Sequence, residues 1–201
     1  EYYYDINDET KLTLGLRYND DTYESTIFST LADVTNPNYV YTGSEYDRNN
    51  PGQSREQVEN NALTYKLAVQ HYLNDNSMIY ALYATGLKAG GTSPNEVGVQ
   101  TPYGEEESVN TEIGVRNILM DGRLLLNATY FEFDVTNGQY GQLERAGVVN
   151  RTFDYMNKGL EGQMKFFLTE NTEIDFNFLA SDSAMGNGLA RDPNNPNAAT
   201  Q

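Results

Sequence analysis

Apolar residues recur at every second position along most of this chain, a period that fits extended strands and not helices. In "KLTLGLRYNDD", Leu12, Leu14, Leu16 and Tyr18 share one parity, while Thr13, Gly15, Arg17 and Asn19 take the other. "ALTYKLAVQHYL" sets Leu63, Tyr65, Leu67 and Val69 against Thr64, Lys66, Ala68 and Gln70. "SVNTEIGVRN" sets Val109, Ile113 and Val115 against Asn110, Glu112 and Arg116. Two later runs repeat the pattern, with Met164, Phe166 and Leu168 opposing Lys165, and Ile174, Phe176 and Phe178 opposing Asp175. Successive side chains of a strand point to opposite faces, so each run makes one apolar and one polar face. Two segments are less tidy. Leu124, Leu126, Ala128 and Tyr130 share a parity, but Phe131, Phe133 and Val135 take the other, and residues 79–87 are apolar on both. A bulge or a partly filled interior would account for either.

The connections between runs alternate in kind. Short polar turns are expected near 6–10, 74–77, 120–123 and 169–172, and long polar loops over 19–61, 89–107, 137–153 and after 182. All six prolines fall in the long loops, where no strand needs their missing N–H. Structureless loops beyond about 15 residues are uncommon in soluble sandwiches. Short turns at one end and long loops at the other describe an antiparallel transmembrane β-barrel. The apolar stretch "MIYALYATGL" agrees, because about ten residues suffice for a membrane-spanning strand and not for a helix.

Composition supports the same reading. Only 38% of the 201 residues are apolar, yet there are 16 Tyr and 8 Phe, which sets the chain apart from disordered sequences. On the polar parity stand Arg17, Lys66, Glu112, Arg116, Lys165 and Asp175. In a small dry core such charges would each cost several kcal/mol unless paired (roughly 3–5 when a partner is missing), so they are expected to face a water-filled lumen. Tyr65, Tyr72, Tyr80, Tyr83 and Tyr130 suit the aromatic girdles at membrane surfaces. The net charge of −16 would repel phosphate backbones, which argues against a nucleic-acid partner.

Catalytic and metal chemistry find little footing. With no Cys and one histidine, His71, neither a zinc site nor a Cys–His pair is available. "DINDET" begins like a calcium loop but has Thr10 where glycine is required and Leu16 where the bidentate glutamate belongs. Glu132 and Asp134 have the strand spacing of a loose glycosidase pair, and rim polarity explains them more simply. No catalytic residue, metal or cofactor is expected. Tyr39, Tyr41, Tyr46 and Tyr103, in the long loops, are the candidate ligand contacts.

Several short motifs, in order, resemble the C-terminal barrel of TonB-dependent receptors. They are Gly15-Leu16-Arg17-Tyr18, then Tyr80-Ala81 with Gly86, Lys88 and Gly90-Gly91, then Glu112-Ile113-Gly114. Asp121-Gly122-Arg123-Leu124, Phe131, Asp134, Gln139 and Gly159-Leu160-Glu161-Gly162 continue the series. The likeness spans about residues 10–182, although Leu87 stands where the family commonly has an aromatic. It implies about eight strands of a 22-stranded barrel in the outer membrane of a Gram-negative bacterium. The plug domain, the TonB-contacting segment and the remaining strands are expected to lie outside residues 1–201. It also implies active import of a scarce solute (siderophore, cobalamin, glycan or peptide), driven through the plug by the TonB–ExbB–ExbD complex. A passive porin-like channel, or a secreted all-β domain that binds or cleaves carbohydrate, are the alternatives. One local expectation follows from parity: 161–168 and 174–180 form a hairpin pairing Phe166 with Phe176 and Met164 with Phe178.

Overall fold

In the computed structural model, which describes residues 1–28, 53–94, 100–144 and 147–186, the alternating runs become eight strands of one antiparallel sheet. The strands are β1 (Tyr2–Asn7), β2 (Thr10–Phe28), β3 (Gln53–Asn74), β4 (Ser77–Lys88), β5 (Gly91–Pro94), β6 (Gln100–Tyr103), β7 (Glu106–Leu119), β8 (Leu124–Glu144), β9 (Gly147–Thr169) and β10 (Thr172–Met185). Each large strand pairs with the next, in the order β1-β2-β3-β4-β7-β8-β9-β10, while β5 and β6 form a separate two-stranded hairpin. No helix occurs among the described residues.

The four short turns lie where the sequence places them, and their side chains explain why. Asn7 Oδ1 accepts from the Glu9 amide at 3.0 Å, and Asn74 Oδ1 from the Asn76 amide at 2.9 Å. Thr169 Oγ1 does the same for the Asn171 amide at 3.3 Å. These are local side-chain caps that favour a reversal over continued strand. The turn after β7 uses left-handed backbone instead, at Met120, Asp121 and Gly122.

The long connections differ from expectation. The sequence predicts loop over 19–61, yet Asn19 to Phe28 pair in unbroken register with Gln53 to Ala62. Likewise 137–153 is mostly hairpin, with Gly138 to Glu144 paired to Gly147 to Phe153. Residues 89–107 hold the β5–β6 hairpin. Polarity on both faces hid the extensions of β2 and β3, because alternation is visible only where one face is apolar. At 23 residues, β9 runs to about 75 Å, far beyond what a membrane span requires.

The register fixes the faces. Leu14, Leu67 and Tyr83 are cross-strand neighbours on one side, and so are Ile113, Tyr130 and Leu160. The two untidy segments prove to be unbroken: β4 pairs with β7 from Ser77 to Lys88, and β7 with β8 up to Thr136, without a bulge. Phe131, Phe133 and Val135 therefore do lie on the polar side, as do Tyr80 and Leu82. That side is partly filled. Tyr72 and Tyr80, expected in an outward girdle, belong to it as well, since Tyr72 pairs with Met78 and Tyr80 with Gly114.

The β9–β10 hairpin forms with the expected faces but slid by two residues. Phe166 opposes Ile174, Met164 opposes Phe176, and Gly162 opposes Phe178. The tight turn sets Thr169 against Thr172, with an irregularity between Thr172 and Glu173. The slide places the Phe178 ring over a residue without a side chain; a Cβ on Gly162 would clash with the edge of that ring.

Almost nothing apolar is buried. Val135 and Val149 alone form the described hydrophobic core, while Leu16 is 75% exposed, Ile113 61% and Phe176 55%. An exposed apolar surface of this extent marks a membrane or protein contact.

Candidate functional site

The polar face of the sheet is where the chemistry collects. All six charged residues singled out from parity, Arg17, Lys66, Glu112, Arg116, Lys165 and Asp175, share this face by register. They fall into three separate groups. Near β1, Lys66 Nζ approaches Glu1 Oε1 at 3.6 Å, while Arg17 Nε donates to Asn19 Oδ1 at 2.8 Å. Near the last hairpin, Lys165 Nζ lies 2.7 Å from Glu173 and 3.4 Å from Asp175. These pairs are open to solvent, which screens them and leaves each little net stabilisation.

The central group is more closely built. Tyr80 on β4 faces Gly114 on β7, and the missing side chain lets the ring reach across to β8. Its hydroxyl meets Thr129 Oγ1 at 3.0 Å and takes a hydrogen bond from Arg116 Nη2 at 3.2 Å. The Arg116 guanidinium also sits 5.2 Å from the Tyr80 ring centroid, a cation–π geometry. Glu112 accepts from Asn110 Nδ2 at 2.7 Å and stands 3.4 Å from the Tyr80 hydroxyl. Thr129, only 2% exposed, lies under this network. Beside it Arg116, Asn127, Gln163 and Asn177 form a continuous row across four strands, lining a groove of about 630 Å³. Such a surface offers water and solute a chain of donors and acceptors. It holds no nucleophile–base pair, and no cluster of His, Asp or Glu among the described residues has metal-binding geometry.

Above the central group an aromatic ladder climbs β8 and β9. Phe133 and Tyr155 have centroids 6.5 Å apart, Tyr155 and Phe153 5.9 Å, and Phe153 and Tyr140 5.8 Å. A register shift between Val135 and Gly138 makes the upper part possible, with Asn137 in left-handed backbone at φ 54°. Single-parity reading missed this ladder because the shift exchanges the faces of β8 midway. The "TNG" at 136–138 was the available signal, since Asn and Gly tolerate that conformation.

Of the candidate ligand contacts, Tyr39, Tyr41 and Tyr46 lie outside the described residues. Tyr103 is on β6, where its ring folds over Gly91 and is only partly exposed. The hairpin that carries it leans over the polar face. Asn60, on the polar side of β3, is 2% exposed and accepts from the Gly90 amide at 2.8 Å. On the other flank, Ser93 Oγ accepts from the Asn150 amide at 3.2 Å. His71, near the first turn, meets Thr10 Oγ1 through Nδ1 at 2.9 Å and takes no part in the site.

Comparison with known proteins agrees with this architecture. The chain resembles the ferric yersiniabactin uptake receptor FyuA from Yersinia pestis at 19% identity and a TM-score of 0.69, over 91% of this chain and 26% of that one. It resembles the siderophore receptor PiuA from Acinetobacter baumannii at 19% identity and 0.62, over 94% and 25%. For the ferric-catecholate import receptor Fiu from E. coli K12 the values are 16% and 0.62, over 94% and 27%. The chain thus spans about a quarter of the length of these solved receptors. No curated protein matches it. The profile "TonB dependent receptor-like, beta-barrel" matches residues 1–199. With its alternating strands, two segregated faces and this match over nearly its whole length, the chain belongs to the TonB-dependent receptor family, as part of the β-barrel.

Proposed function

We propose that this chain forms part of the wall of an outer-membrane receptor that captures a scarce solute and imports it with energy from the TonB–ExbB–ExbD complex. The observation that supports this most is the division of one sheet into two faces. Leu16, Ile113 and Phe176 stand exposed on one side, and Arg17, Glu112, Arg116 and Lys165 on the other. The apolar face meets lipid; the polar face lines the lumen and meets plug, water or solute. Above the lipid boundary the long hairpins and the aromatic ladder offer surface for capture. Family membership argues for a transporter and against an enzyme. A plug domain and further strands, outside residues 1–201, complete the receptor in this reading.

The solutes named for the structural neighbours, ferric siderophores for the receptors above and copper for a further solved neighbour, the copper transporter OprC, define the panel for a test. Cells expressing the full receptor are expected to take up one member of a panel of ferric siderophores and copper, and to lose that uptake when TonB is deleted. Uptake that persists without TonB would favour a passive channel. Isolation of the parent protein from the soluble fraction would sink both readings.

A further inference from the structure

The segment between β4 and β7 is held at its root by an arrangement that neither the fold nor the import reading requires. Gln139 Nε2 reaches three backbone carbonyls, Ala89 at 2.9 Å, Gly104 at 3.2 Å and Lys88 at 3.5 Å. Lys88 ends β4, and Ala89 and Gly104 flank the two strands of the β5–β6 hairpin, so one side chain ties together the chain entering and the chain leaving it. The Gln139 amide in turn donates to Glu106 Oε2 at 2.8 Å, and Lys88 Nζ lies 3.7 Å from the same carboxylate. The register shift puts Gln139 within reach. There the Asn137 amide donates to Asp154 Oδ1 at 2.9 Å, which fixes the bulge that redirects β8 toward the tops of β4 and β7.

The hairpin is then clamped on two further sides. Gly90 donates to Asn60, and the Asn150 amide donates to Ser93, which is 5% exposed. Gly90 packs closely against the other end of the hairpin: a Cβ there would sit 2.5 Å from the Tyr103 carbonyl oxygen. Contacts to β3 and β9 therefore hold one hairpin from two strands that three others separate in the sheet. A flap that opens by bending at its root needs few hydrogen bonds there. This root has many.

We propose that Gln139 is the positioning residue of a rigid sill: it locks the β5–β6 hairpin over the polar face as a fixed part of the receptor mouth, not as a flap that swings for the solute. The hairpin's place at a receptor mouth rests on the import reading; its locking does not. The sill narrows the approach to the central Arg116–Tyr80 group in every state of the receptor, so capture motions fall to other loops.

Hydrogen exchange on the full-length receptor in detergent, with no solute present, tests this. Segments 88–94 and 100–105 are expected to exchange slowly in the wild type. In Gln139→Met, which keeps length and loses the donor, both segments are expected to exchange at least about tenfold faster, while 106–118 and 124–135 stay unchanged. Gln139→Glu, able only to accept, is expected to behave like the methionine variant and stands in for it if that protein fails to assemble. Fast exchange of the two segments in the wild type would overturn the proposal without any variant. Retained protection in Gln139→Met or Gln139→Glu would also overturn it, by showing that packing and not donation holds the hairpin. Because no solute is involved, these outcomes are separate from whether the receptor imports anything.

Discussion

At the scale of the residue, glycines opposite aromatic rings decide more than the charged residues do. Gly114 is the instructive one: a Cβ there would lie 2.5 Å from the Tyr80 ring, and the ring cannot retreat without leaving Thr129 and Arg116. Gly114→Ala is therefore expected to destabilise the folded receptor by about 1–3 kcal/mol, measured by denaturant unfolding. In a Tyr80→Ala background the same substitution should cost less than about 1 kcal/mol, because the two sites act on one contact. An equal cost in both backgrounds would show that the ring is not what the glycine accommodates. The parity rule found the charged residues readily, since Arg116 and Glu112 flank Gly114 on alternate positions. It had no means of finding Tyr80 as their partner, because that contact depends on which strand lies alongside and at what register.

At the scale of the element, a strand's two faces should respond oppositely to the same change. Leu14→Arg, on the apolar face of β2, is expected to cost about 2–4 kcal/mol or to block assembly, because the guanidinium would face lipid. Thr13→Arg, one residue earlier, should assemble normally in heat-modifiability gels. Similar behaviour of the two variants would remove the membrane reading of the faces. The bulge in β8 offers a second element-level test. Asn137 has φ 54°, so Asn137→Val is expected to lose about 1–2 kcal/mol while Asn137→Gly stays near neutral. The β9–β10 register belongs to this scale as well. Hydrophobic alternation specifies faces but is blind to slides of two residues, and the choice was settled by a tight turn and by Phe178 lying over Gly162.

At the scale of the whole molecule, the apolar surface has a visible upper limit. Glu132 on β8 pairs with Lys158 on β9, and Lys158 with Asp182 on β10, forming a charged row on the otherwise apolar side. Below it lie Tyr130, Leu160 and Ala180; above it the same side carries Asp134 opposite Met156, then Gln139 opposite Thr152. We place the boundary of the hydrocarbon at this row. Spin labels at Leu160 and Phe176 of the receptor in liposomes should then collide freely with oxygen, whereas a label at Asp182 should meet a water-soluble nickel chelate. Oxygen contact extending past Asp182 would move the boundary upward.

The sequence by itself determined the strand class, the apolar and polar parities, the four short turns and the family resemblance. Each of these rests on local chemistry: side chains alternate along any strand, and Asn, Asp, Gly and Thr turn the chain wherever they cluster. The tertiary structure alone decided the rest. It extended the strands far above the lipid zone, where polar residues on both faces of β2 and β3 and a face exchange in β8 erase the period of two. It set the registers that join Tyr80 to Arg116 and Phe178 to Gly162, and it shifted β8 at Asn137 so that Gln139 could clasp a hairpin rooted about 50 residues earlier in the chain. Hydrogen bonds between distant strands control these features, and no window of neighbouring residues contains both partners.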